Sequence, residues 1–220
     1  MGMATSRGAF VKRIIARSGC SDEGYRLAVE VLRGGGLVIY PTDTSYGLGA
    51  DAENVEAVLK VYRVKLRPKT SPLTIAVSDF EMLKRYAIFD EKTETFMRSF
   101  LPGAVTFILP KTEAVPDEVN PRAIGIRIPD NPIALELIRR FGKAITATSA
   151  NISGEPLAYT PEEAMRALPD VELIIDAGPL PRRPASTIVD LTGDRPILIR
   201  EGPVPFEAIL RKYEEVFRSS

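Results

Sequence analysis

Histidine is absent from these 220 residues. That absence removes Ser-His-Asp and Cys-His catalysis, together with the usual nitrogen ligands of zinc. The one cysteine, Cys20, cannot close an internal disulfide, and a lone thiol near a terminus reads as incidental; such usage suits a reducing, cytoplasmic compartment. Net charge is missing too. Twenty-nine Lys and Arg residues balance 29 Asp and Glu residues, so no global field recruits nucleic acid or membrane, and any cationic site must be local. Tryptophan is also absent, which weakens the case for a noncatalytic RNA-binding module. No apolar run approaches the roughly eighteen residues of a membrane-spanning helix, and no repeat, low-complexity tract or long linker divides the chain.

What is present suits one enzyme-sized unit. With 45% hydrophobic residues, the chain can bury a single large core, and residues 1–220 read as one domain. The first 21 residues carry Arg7, Lys12, Arg13 and Arg17 without an acidic partner, and Met1 to Ser6 formally match a myristoylation pattern. This segment runs directly into strand-like residues 10–15, which favours a folded reading over a targeting one. Ser21 and Asp22 cap a helix to about Leu32, ended by Gly34, Gly35 and Gly36. Helices are also expected over 53–63, 79–86, 90–99 and 132–140. Strands are expected over 37–40, 73–77, 105–109, 124–128, 145–148, 173–175, 187–191 and 197–200. The alternation predicts an α/β fold: one twisted mixed sheet with flanking helices.

Six segments carry chemistry. Residues 41–51, PTDTSYGLGAD, read as a loop at the carboxyl end of a core strand, a common ligand position in α/β sheets. There Thr42 and Thr44 present alternate hydroxyls, while Gly47 and Gly49 admit a close ligand; ordinary turn chemistry explains the pair equally well. In Lys65-Leu66-Arg67-Pro68, an extended backbone aims two cations the same way, and Pro68 favours that geometry. By charge patterning alone, a solvated loop is the better reading. Arg127 lies among apolar strand residues and needs an anion, either an internal carboxylate or that of a substrate. Ser149-Ala150-Asn151 supplies a hydroxyl and an amide after a strand, but the bare tripeptide is uninformative. Ser186 and Arg200 each sit at a strand boundary, where a strand edge and a surface arginine are the ordinary explanations.

Taken together, PTDTSYGLG, KLRP, IGIRIP, TSANISG, STIVD and IREG resemble the signature of the YrdC/Sua5 family over about residues 23–210. Characterised members make threonylcarbamoyl-adenylate from L-threonine, bicarbonate and ATP for a tRNA modification. The resemblance implies a YrdC-like fold with a concave basic active-site cavity. It implies that Lys65 and Arg67 act on ATP as catalytic cations, with Ser71, Ser149, Asn151 and Arg200 also at the nucleotide. It assigns Thr42, Thr44, Arg127 and Ser186 to threonine. Magnesium would ride on the nucleotide, since no acidic cluster reads as a cage. A tRNA or a transferase complex would be the partner, with no membrane role. Two departures stand out: Ser71 where many relatives carry Asn, and Ala76 where long Sua5-type relatives carry His. The likeness is to short members without the additional carboxyl-terminal domain. YciO-like and carbamoyl-adenylate-forming relatives remain as alternatives; the PTD and IGIRIP segments are closer to the former, while KLRP and TSANISG lean toward the synthase.

Overall fold

A computed structural model describes residues 11–218. Phe10 of the expected first strand, Arg7 and the Met1 to Ser6 motif lie outside the described residues. The chain enters through β1 (Lys12–Ile15), then α1 (Asp22–Arg33), whose Ser21 side chain accepts from the Gly24 amide as the sequence predicts. β2 (Val38–Pro41), β3 (Tyr46–Gly49), α2 (Val55–Val64) and β4 (Thr74–Ala76) follow. α3 (Phe80–Lys84) and α4 (Glu91–Met97) are shorter than expected. Asp79 and Asp90 stand outside them as caps, accepting from the Met82 and Thr93 amides. β5 (Val105–Pro110), β6 (Ala123–Arg127), α5 (Pro132–Phe141), β7 (Ile145–Thr146) and β8 (Thr148–Ser149) form the middle of the chain. α6 (Pro161–Ala167), β9 (Leu173–Asp176), β10 (Thr187–Asp190), β11 (Ile197–Arg200) and α7 (Phe206–Arg218) complete it.

The α/β class holds, but the strands divide into two sheets instead of one. The first has the order β1-β9-β2-β3-β8 and the second β11-β10-β5-β6-β4-β7. The expected strand 145–148 is where the chain changes sheets: β7 pairs with β4, β8 pairs with β3, and Ala147 between them donates its amide to the Thr74 carbonyl. The segment 41–51 is also less of a loop than expected. Its Tyr46–Gly49 portion turns back as β3, pairing antiparallel with β2 from Pro41↔Tyr46 to Val38↔Gly49. Gly47 and Gly49 leave room for the Tyr40 ring, which a Cβ would meet at 3.1 and 3.0 Å respectively. Close packing of the Tyr40 ring within the hairpin therefore favours glycine at both positions.

Both sheets are apolar inside: Val38, Ile39, Leu48, Ile174, Phe107, Ile126 and Ile75 are fully buried. At about 25 cal/mol per Å² of apolar surface removed from water, this shared core dominates the favourable side of folding. α7 closes one end through aromatic contacts, with Tyr213 edge-on to Phe96 at 5.6 Å and stacked on Phe217 at 4.3 Å.

Candidate active site

The second sheet brings its polar residues into one row by register. Arg200 of β11 lies opposite Ile188, Ile188 opposite Thr106, and Arg127 of β6 opposite Ala76. All five line a single cavity of about 200 Å³ that opens to solvent. The other wall comes from the first sheet and the β2–β3 turn: Tyr40, Thr42, Thr44, Tyr46 and Ser149 face the same space. The cavity therefore exists only where the two sheets meet.

In the turn, Thr42 does local work. Its hydroxyl donates to the Ser45 carbonyl at 2.7 Å and accepts from the Thr44 and Ser45 amides at 3.2 Å each. This is the turn chemistry that the sequence left open. Thr44 is buried beside it, its hydroxyl 3.4 Å from Nη1 of Arg127. Between them, Asp43 supplies the anion that Arg127 requires: Oδ1 and Oδ2 lie 2.6 and 2.8 Å from Nη2, and each side chain is 7% exposed. The partner is thus an internal carboxylate, and Nη2 also donates to the Gly103 carbonyl at 2.9 Å. Nε of Arg127 is buried without a hydrogen-bond partner.

The KLRP segment is not extended. Lys65 is still helical, and Leu66 adopts a left-handed φ of 49°, so the two flanking cations diverge. Lys65 turns inward and is 1% exposed, with Nζ donating to the Ser149 and Asn151 carbonyls at 2.5 and 2.6 Å. Arg67 alone reaches the cavity. It is anchored by the Ser71 carbonyl at 3.0 Å and the Pro72 carbonyl at 2.8 Å. Ser71 contributes that carbonyl while its neighbours Pro72 and Leu73 form the wall. Asn151, also buried, binds the Ser149 hydroxyl with its Oδ1 and the Glu155 carbonyl with its Nδ2 at 2.6 Å. Of the ten residues singled out from sequence, Thr42, Thr44, Arg67, Arg127, Ser149, Ser186 and Arg200 line the cavity. Lys65, Ser71 and Asn151 stand behind its walls.

Sequence reasoning missed Thr106. It is 2% exposed, its hydroxyl lies 2.9 Å from that of Ser186, and both face the cavity. The available signal was a lone polar residue inside the apolar strand Val105-Thr106-Phe107. Arg200 meanwhile donates from Nε and Nη2 to the Ser186 carbonyl at 3.1 and 2.9 Å.

Electrostatically the walls are one-sided. Arg67, Arg127 and Arg200 line the cavity and no Asp or Glu does. Asp43 neutralises Arg127 from behind, whereas Arg67 and Arg200 bond only to neutral oxygens. Desolvation lowers the pKa of both free guanidiniums, and repulsion from Arg127 and Arg67 adds to the effect on Arg200. Such a space favours a ligand with more than one negative charge. It does not fit a resident metal ion: the wall offers no carboxylate, and the described residues contain no group of three or more His, Cys, Asp or Glu able to hold one. Nor is any helix among the described residues long and apolar enough to cross a membrane.

The α/β fold is shared by known proteins. The Sua5_yciO_yrdC family model, described as "Telomere recombination", matches residues 30–202. The chain belongs to this family. It is 39% identical over 197 residues to the threonylcarbamoyl-AMP synthase of Bacillus subtilis, covering 86% of this chain and 56% of that protein. Its structure resembles P. abyssi Sua5 complexed with L-threonine, with a TM-score of 0.85 and 36% identity over 94% of this chain and 60% of that one. It also resembles E. coli YciO, with a TM-score of 0.82 and 32% identity over 92% of this chain and 100% of that one. The chain thus spans little more than half of the two longer relatives. Ala76 lines the cavity beside Arg127.

Proposed function

We propose that the protein is an L-threonylcarbamoyladenylate synthase, a nucleotidyltransferase that converts L-threonine, bicarbonate or CO2, and ATP into threonylcarbamoyl-AMP and pyrophosphate. One observation carries this reading. The cavity is lined by three guanidiniums, two of them bonded only to neutral oxygens, and by no carboxylate. A nucleoside triphosphate supplies the charge such a wall lacks.

The absence of histidine suits the chemistry. Threonine's amine adds to CO2 and loses a proton, giving a carbamate. The carbamate oxygen then attacks the α-phosphorus, the bond to the bridging oxygen breaks, and pyrophosphate leaves with the electron pair. No strong protein base is needed, and the step depends on alignment and charge neutralisation. Arg67, Arg200 and Ser149 are assigned to the nucleotide, and Thr44, Arg127 and Ser186 to threonine. Arg127 supports the latter by lining the cavity while Asp43 holds its guanidinium in place. Magnesium enters with ATP as part of the substrate. The product is a reactive mixed anhydride, so a transferase acting on tRNA to form t6A is its natural consumer, and a cytoplasmic location accords with these partners.

The test is pyrophosphate release from ATP, measured with and without threonine and bicarbonate. Dependence on both supports the synthase. Release without any amino acid favours the carbamoyl-adenylate or YciO-like alternatives. No release, together with salt-dependent tRNA binding, favours an RNA-binding module.

A further inference from the structure

Behind the cavity wall lies a buried cation with no carboxylate partner. α2 ends at Val64, and the Lys65 amide still donates to the Val61 carbonyl at 3.2 Å. The left-handed Leu66 then turns the chain sharply, leaving its own side chain 74% exposed while Lys65 is 1% exposed. The Lys65 ammonium meets three oxygens: the Ser149 carbonyl at 2.5 Å, the Asn151 carbonyl at 2.6 Å and Asn151 Oδ1 at 3.5 Å. Its own carbonyl accepts from the Ser153 amide at 2.9 Å. Both ends of the residue therefore grip one turn, residues 149–153. The same Oδ1 accepts from the Ser149 hydroxyl, so the orientation of that cavity-lining group depends on a residue the ammonium holds.

We propose that Lys65 is a positioning residue: by gathering the Ser149 and Asn151 oxygens, it fixes the turn that presents Ser149 and locks it to the loop that carries Arg67. The proposal rests on the reading of the cavity as a nucleotide site only for its consequence, since the clamp is made entirely of the protein's own groups. Its physical basis is the number of converging acceptors. An ammonium has three donors and no acceptor, and three oxygens are here within reach in space closed to water. An apolar side chain in its place leaves the buried Asn151 carbonyl without that partner and the Ser149 carbonyl with only the Asn151 amide at 3.0 Å, so the turn must open to satisfy them. Lys65 thus shares the KLRP segment with Arg67 but has the opposite job, since Arg67 faces the cavity and Lys65 faces the protein.

Hydrogen exchange on the ligand-free protein separates this role from direct phosphate contact. In Lys65→Met, amides 149–155 should exchange faster than in the wild type, while Arg67→Ala leaves them unchanged. Steady-state kinetics should show kcat/KM for ATP reduced by about 100-fold, the cost of a misplaced positioning group, with the KM for threonine little altered. Lys65→Arg, which keeps the charge, should recover part of both effects. Wild-type exchange at 149–155 in Lys65→Met would overturn the proposal even if ATP affinity fell, because that pattern belongs to a lysine serving only the phosphate.

If Lys65→Met does not fold, the wild-type protein answers the same question. With 15N-labelled lysine at about pH 6, where a buried ammonium is retained, Lys65 should give a slowly exchanging Nζ resonance. That resonance should persist when a nonhydrolysable ATP analogue is added. Its loss, or a scalar coupling to phosphorus, would overturn the proposal. Failure of the wild type to release pyrophosphate would remove the proposed reaction while leaving the exchange result to decide the clamp.

Discussion

Asp43 and Arg127 form a buried ion pair across the junction of the two sheets, both carboxylate oxygens resting on Nη2 at 2.6 and 2.8 Å. The pair joins the β2–β3 turn to β6, so one contact shapes the cavity from both sides. Removing only the arginine leaves Asp43 buried and uncompensated. Arg127→Leu should therefore cost about 3–5 kcal/mol of stability in urea unfolding. The double variant Asp43→Leu/Arg127→Leu should lose clearly less than the sum of the two single variants. Additive losses would show that the pair is not coupled. A lowered melting point with unchanged threonine dependence in Arg127→Leu would confine the residue to a structural role.

Arg67→Ala should behave differently, because Arg67 is tied down only by the Ser71 and Pro72 carbonyls and pairs with no carboxylate. The fold should survive, while transition-state stabilisation falls by about 2–5 kcal/mol through loss of a desolvated contact to phosphate. Ser149→Ala should act in the same direction but more weakly, since it removes one neutral hydrogen bond. Turnover by folded Arg67→Ala near the wild-type rate would remove Arg67 from the nucleotide site.

Gly202 is a steric requirement of the backbone that carries the cavity-lining Ser186. A Cβ there would lie 2.2 Å from the Ala185 carbonyl oxygen and 2.5 Å from the Thr187 amide nitrogen, both backbone atoms. Gly202→Ala must push this segment off the one that carries Ser186. We expect a loss of about 1–3 kcal/mol in stability and a raised KM for threonine, with the KM for ATP less affected. Equal changes in both constants would place the disturbance elsewhere.

Stability should also record the burial of Lys65. Desolvation, followed by the nearby Arg67, pushes its pKa down to about 7. An unfolded lysine titrates near ~10.4. Between those values the unfolded chain holds a proton that the folded chain has released. Stability contributed by this group therefore rises with pH across that window, by at most ~1.4 kcal/mol per pH unit, and is flat below it. Denaturation midpoints of the wild type and Lys65→Met, compared from about pH 6 to about pH 9, should diverge upward in favour of the wild type. Parallel curves would show that the oxygens around Nζ hold the proton against burial.

Amino-acid selectivity tests the proposed substrate. Serine lacks one methyl group, worth about 1–3 kcal/mol, and should react roughly ten- to two-hundredfold less efficiently than threonine. Valine leaves any hydroxyl partner in the pocket, such as Thr44 or Ser186, unsatisfied and should be rejected more severely. The measurement is kcat/KM for pyrophosphate release at saturating ATP and bicarbonate. Equal rates with all three amino acids would point away from a threonine pocket.

Local chemistry along the chain determined much of this molecule. Ser21 and Gly35 bound α1 because a hydroxyl and a residue free to adopt a φ of 73° end a helix without distant partners. The apolar strands, the need of Arg127 for an anion, and the segments that mark the family are likewise legible in order along the sequence. What the sequence could not reveal depends on strands meeting far from their neighbours in the chain. Residues 145–148 read as one strand, yet the chain there serves two sheets because β4 and β3 offer separate edges. Thr106 reads as an ordinary member of the strand 105–109, and only the flanking β10 and β6 make its hydroxyl part of a cavity. Lys65 and Arg67 read as matched cations of an exposed loop. The left-handed turn at Leu66, which has no local signature, and the carbonyls of a turn more than eighty residues away decided that one of them faces inward.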